Sequence, residues 1–108
     1  MAQTLIVARM RPGSEEAIRH IFAVSDAGDL PQMLGVRERR LYHFHDLYFH
    51  SVQSDEDLAL PLTEVHAHPL FADISKKLSA HITAYDPGTW RNPSDAMARE
   101  FYHWQAQG

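Results

Sequence analysis

The apolar and polar positions of the 108-residue chain change period several times, and each change marks an element. Residues 4–10, Thr-Leu-Ile-Val-Ala-Arg-Met, are a short, partly β-branched apolar run that stops at Arg11-Pro12-Gly13, which predicts a first strand. Ser14 with Glu15 and Glu16 is a helix start, and Ala17, Ile18, Ile21 and Phe22 follow at three-and-four spacing, so a helix runs to near Gly28. Asp29 to Gly35 is a polar, proline-containing connection. Val36–Phe44 and Leu47–Val52 are rich in aromatic and β-branched residues and predict a hairpin turning near His45-Asp46. Ser54-Asp-Glu-Asp caps a second helical stretch to about Val65, and His68-Pro69 restarts it, because proline is tolerated at a first helical position and disfavours helix just before it. Residues 85–95 form a loop, and Glu100 to Ala106 is expected as the last strand.

The order β, α, β, β, α, β is an α+β, ferredoxin-like plan: one domain over residues 1–108, with a four-stranded antiparallel sheet and both helices on one face. The first strand is apolar on both parities, and the expected last strand carries Phe101 on one side and Tyr102 and Trp104 on the other. A sheet apolar on two faces but covered on one predicts a homodimer packed sheet to sheet.

Composition narrows the function. There is no cysteine, which removes thiolate chemistry and disulfide scaffolding and suits a reducing cytoplasm. No targeting segment or membrane span is expected. A net charge of -4 gives no footprint for nucleic acid, and Arg37, Arg39 and Arg40 are too few to reverse that. The expected partners are a small molecule and a second copy of the chain.

Candidate chemistry centres on His43-Phe-His-Asp-Leu-Tyr-Phe-His50, which holds three of the eight histidines. Strand parity puts His43 and His45 together, while the face taken by His50 depends on turn length, and no further ligand is evidently placed, so no metal is expected. His66 and His68 straddle a helix break, and two residues apart on a helix do not share a face, so His68 reads as structural. His20, His81 and His103 stand alone. Arg39 shares parity with Arg37, Leu41 and His43, and is open to two readings: a solvated strand edge paired with Glu38 or Asp29, or a fixed cation for an enolate or phenolate oxygen. Asp26, near Gly28, reads first as turn chemistry.

Four runs together resemble the tetracenomycin-cyclase family of aromatic, type II polyketide cyclases. They are Gly35-Val36-Arg37 with Arg39, Phe44-His45-Asp46-Leu47-Tyr48 with His50, His68-Pro69-Leu70-Phe71, and Phe101-Tyr102 with Trp104, and the match runs in order from about residue 3 to residue 104. The resemblance implies a dimeric α/β barrel, no cofactor, and a cavity between sheet and helices that folds a poly-β-ketone-derived intermediate for aldol-type ring closure and aromatisation. It implies that Arg39 and His50 are the cavity arginine and histidine and Asp26 the aspartate at the end of the first helix, with His50 carrying the proton, Arg39 holding the enolate and Asp26 orienting a partner or helping to expel water. Ser25, His43, Tyr48 and Trp104 are the expected substrate contacts. Ser25 is a departure, since the family's best-known member has a histidine just before that aspartate. A cofactor-free monooxygenase on the same barrel and a non-catalytic ligand-binding subunit of a polyketide synthase are the alternatives.

Overall fold

A computed structural model of the protein describes residues 1–65, 67–91 and 93–107. The reading of His66 and His68 as straddling a helix break involves His66, which lies outside the described residues. The elements are β1 (Ala2–Met10), α1 (Glu15–Asp26), α2 (Leu30–Leu34), β2 (Val36–Phe44), β3 (Leu47–Ser54), α3 (Ala59–Val65), α4 (Pro69–Leu78) and β4 (Ile82–Thr83), with a short 3-10 turn at Pro93–Ala96. The strands form one antiparallel sheet in the order β2-β3-β1-β4.

Each boundary has a local cause. β1 ends where Pro12 and Gly13 follow, Gly13 taking a left-handed φ of 76°. Ser14 starts α1 with its carbonyl accepting from the Ile18 amide, but its hydroxyl lies 3.0 Å from His81 Nδ1 and does not cap the helix. The stretch expected as a plain connection winds into α2, closed by Gly35 at φ 71°, a conformation that glycine adopts without a Cβ penalty. The hairpin turns at His45-Asp46, with His45 in the left-handed region at φ 55°. Ser54 belongs to β3 and donates to the Glu56 carbonyl, so the next helix begins later than expected, at Ala59. The second helical stretch is broken as expected. His68 caps the second part, its Nδ1 accepting from the Leu70 amide at 3.1 Å.

The expected last strand is corrected. Residues from Glu100 to Ala106 form no strand, and the fourth strand is Ile82–Thr83, which pairs with Arg9 and Met10. A strand needs a hydrogen-bonding neighbour. One edge of β1 is taken by β3, and the other by β4 and a bridge at Ile6–Met97, beside which the Ala98 amide donates to the Leu5 carbonyl; the chain then leaves the sheet. Phe101, Tyr102 and Trp104 are exposed in consequence.

A register shift between Val36 and Glu38 is decisive for the site. Val36 lies opposite Ser54 and Arg39 opposite Val52, and both Ser54 and Val52 are buried on one face of β3. The extra residue thus puts an even and an odd position of β2 on the same face. Arg39, Leu41 and His43 then point to the helices, and Arg37 is released to make a two-bonded pair with Asp55.

The core lies between this face and the helices: Ala8, Met10 and Tyr48 from the strands, Ile18, Phe22, Leu30 and Ile74 from the helices. The opposite face keeps large apolar groups in solvent, among them Leu5, Tyr42 and Phe44. Ile18 is 2% exposed. Ile18→Ala is expected to cost about 2–5 kcal/mol of unfolding free energy, read as a lower urea midpoint at unchanged slope.

Candidate active site

Three side chains from three elements meet on the helix side of the sheet. β3 contributes His50, β2 contributes Arg39 one strand away, and the last residue of α1 contributes Asp26. Arg39 Nε lies 3.2 and 3.1 Å from the two Asp26 oxygens and Nη2 lies 2.9 Å from Oδ1, while Nη1 is 2.7 Å from His50 Nε2. The arginine side chain is only 14% exposed. Phe22 lies beneath it, with the guanidinium carbon 4.7 Å from the ring centre, and its ring meets His50 edge-on at 5.1 Å.

This geometry fixes the state of His50. A guanidinium has donors and no acceptor, so Nε2 must offer its lone pair and the ring proton sits on Nδ1. Burial, and then the adjacent Arg39 charge, push the His50 pKa down to about 3. His50 is therefore a neutral imidazole whose one lone pair is already engaged. The proton-acceptor role expected of it does not fit this resting arrangement; Nδ1–H is a donor. Arg39 in turn has its charge matched by Asp26 and keeps spare N–H groups on both terminal nitrogens.

The other expected residues fall differently. Tyr48 is two residues before His50 on the same face of β3, 4% exposed, with ring centres 6.1 Å apart. His43 shares that face but is tied to the hairpin end, its Nε2–H donating to the His45 carbonyl at 2.6 Å and its Nδ1 lying 3.7 Å from a Glu15 oxygen. Ser25 lines a separate cleft of about 130 Å³ between α1 and α4, with Ile21, Leu70 and Lys77. Trp104 is not brought to the site; it is in the exposed C-terminal segment. Among the described residues, no three His, Asp or Glu side chains are grouped to hold a metal ion. A second cleft of about 130 Å³, beside Val7, Tyr85, Trp90 and Met97, is on the opposite face of the sheet.

Phe22 is the site residue that sequence reasoning missed. Its signal was its spacing: four residues before Asp26 on one helix, it shares a face with the carboxylate and so reaches the same guanidinium.

The His50 state has a pH consequence. Between about pH 6.5, where the unfolded chain's imidazole takes a proton, and about pH 3, where the folded one does, the unfolded state binds the extra proton. This contribution to stability is complete above that window and is lost progressively as pH falls through it. His50→Gln is expected to flatten the stability profile there, measured by urea unfolding at a series of pH values. In the wild type, the ring nitrogen resonances of His50 should stay unchanged from about pH 8 to pH 5.

Comparison with known proteins places this arrangement in context. Residues 2–105 match the family model described as polyketide synthesis cyclase. The chain is 49% identical to an uncharacterized protein of Streptomyces coelicolor, over 97% of this chain and 96% of that one. It is 44% identical to polyketide synthase CurG of Streptomyces cyaneus, over 97% of this chain and 98% of the other. It is 36% identical to tetracenomycin F2 cyclase of Streptomyces glaucescens. The solved structure of that cyclase, described as a type-II polyketide cyclase, superposes with a TM-score of 0.92 over 99% of this chain and 100% of the other. A putative antibiotic biosynthesis monooxygenase from Chloroflexus aurantiacus shares the fold at a TM-score of 0.54 and 15% identity, over 76% of this chain and 81% of that one.

Proposed function

This chain belongs to the polyketide synthesis cyclase family, and we propose that it closes a ring in an aromatic polyketide intermediate by cofactor-independent aldol condensation and loss of water. The observation that carries this reading is the Arg39 guanidinium held between the Asp26 carboxylate and the neutral His50 ring on the buried side of the sheet. A methylene between two carbonyls is acidic for carbon, so water or a weak base suffices to take its proton. What the reaction needs from a protein is a shaped surface that holds the enol carbon against the target carbonyl carbon, and donors for the oxygen that gains charge as the new C–C bond forms. That oxygen then takes a proton and leaves as water with a neighbouring C–H proton, and aromatisation draws the product forward.

In this reading the spare N–H groups of Arg39 and the Nδ1–H of His50 hold the developing oxyanion. Asp26 fixes the guanidinium plane. His50 becomes a proton acceptor only if Nε2 leaves Arg39. His43, toward the hairpin end of the same sheet face, and Ser25, in the separate cleft between α1 and α4, contact outlying parts of a large substrate in this reading.

The protein works as a homodimer in this proposal. The exposed Leu5, Tyr42 and Phe44 on the outer sheet face, and the exposed Phe101, Tyr102 and Trp104 of the C-terminal segment, support it. A second copy covers both, and other polyketide synthase subunits are the remaining partners. The absence of cysteine suits action in the cytoplasm.

Arg39→Ala and His50→Ala are expected to lower cyclised product on the order of 10²-fold or more while the fold persists. Full turnover by both would sink the assignment. Purified protein with substrate should consume no oxygen; uptake in step with product would make it a monooxygenase instead, and saturable binding with no change in product a non-catalytic subunit. Sedimentation equilibrium is expected to give a dimer, and removal of residues 99–108 to shift it toward monomer.

A further inference from the structure

Tyr48 presents an anomaly that the cluster described above does not use. Buried tyrosine hydroxyls ordinarily find a hydrogen-bond partner, because leaving one unmade costs the desolvation of the group. Tyr48 is 4% exposed, yet among the described residues its hydroxyl makes no hydrogen bond. His50 Nδ1 is in the same position: Nε2 is engaged by Arg39 and Nδ1 has no partner. Among the described residues no side-chain nitrogen or oxygen fully sealed from solvent lacks a partner. Both atoms must therefore open onto accessible space, although the rest of each side chain is packed away.

Their placement sets the two rings side by side on one face of the sheet. Positions 48 and 50 are both buried on the helix-facing side of β3, and their ring centres are 6.1 Å apart. Ala8 lies opposite Tyr48 on β1 and Ile6 opposite His50, so neither polar atom has a polar neighbour across that strand pair. The hydroxyl and the Nδ1–H are thus two unpartnered donors on one face, between Ala8 and Ile6 on β1 and His43 and Leu41 on β2.

We propose that the Tyr48 hydroxyl and the His50 Nδ1–H together form a neutral donor pair that binds ketone or phenol oxygens on one edge of the substrate, making Tyr48 a further catalytic residue. This rests on the cyclase reading and deepens it by naming the substrate feature recognised: uncharged carbonyl and hydroxyl oxygens on neighbouring ring positions. An arginine already paired with a carboxylate is poorly suited to capture a carboxylate or phosphate, and the donors beside it carry no charge. Burial also raises the Tyr48 pKa from its ordinary value, with Arg39 opposing in part, so the hydroxyl keeps its proton through the neutral range and remains a donor. A neutral imidazole and a neutral phenol can polarise a carbonyl as it gains charge without attracting competing anions.

The test uses the intact protein and 1,8-dihydroxyanthraquinone with ¹³C at its carbonyls as the probe. On the wild type the carbonyl resonance is expected to move downfield on binding; on Tyr48→Phe, which keeps the ring and its packing, it should move clearly less and binding should weaken on the order of tenfold or more. Ring nitrogen spectra of the free wild type should show the proton on Nδ1. Absence of probe binding, an equal carbonyl shift on both proteins, or a proton on Nε2 would each overturn the donor pair. With the polyketide substrate, Tyr48→Phe is expected to lower kcat by about 10²-fold with a smaller change in KM; unchanged kcat overturns the catalytic role. A wild type that shifts the probe but closes no ring would instead overturn the cyclase reading and leave the donor pair standing.

Discussion

The arginine at position 39 is the interaction on which the arrangement turns. It binds the end of α1 through Asp26, crosses to β3 through His50, and rests on Phe22, so one side chain joins helix layer to sheet. A cation so poorly exposed is tolerated only with a partner, and the carboxylate supplies it. The same contact sets the chemistry. Because a guanidinium can only donate, the imidazole beside it has to accept, and one hydrogen bond decides which ring nitrogen of His50 keeps a proton.

The rest of the molecule can be seen as the means of holding that contact in place. Ile18 and Phe22 fix α1 on the sheet, Leu30 and Ile74 close the layer around it, and Tyr48 fills the space beside His50. The loop-like stretch after α1 becomes a single turn of helix ended by a left-handed Gly35, which lets the chain re-enter the sheet at Val36. Chemistry and stability share residues here. The burial that packs His50 also keeps it neutral.

Much of this was legible in the residues, and the failures have physical causes. Local signals were enough for the hairpin, for the start of α1 and for the break before α4, because turns, proline and apolar period act within a few residues. The C-terminal segment reads as a strand by its alternation, but strand formation depends on an available edge, which no local pattern encodes; a two-residue piece at Ile82–Thr83 took part of it. Arg39 and Asp26 remained ambiguous from the sequence, since nothing local states that residues 13 apart will meet. The resemblance to the cyclases assigned both to one cavity, and the structure joins them in an ion pair. The tautomer of His50 is not a local property either, as it depends on a 2.7 Å contact between adjacent strands. Phe22 was read as core, and it is core, but it is also the floor of the site.

The register shift between Val36 and Glu38 reaches further than a local irregularity of one strand. A strand alternates its faces with a period of two, so one additional residue at its start exchanges everything downstream. With it, Arg39 faces the helices and Arg40 and Tyr42 face outward; a chain one residue shorter there would send the guanidinium to the outer surface and bring an aromatic ring into the interior. The sidedness of this protein, with the Arg39–His50 contact on one face and exposed apolar rings on the other, is therefore a matter of counting: it is written in the length of the backbone ahead of Arg39 as much as in the side chains themselves.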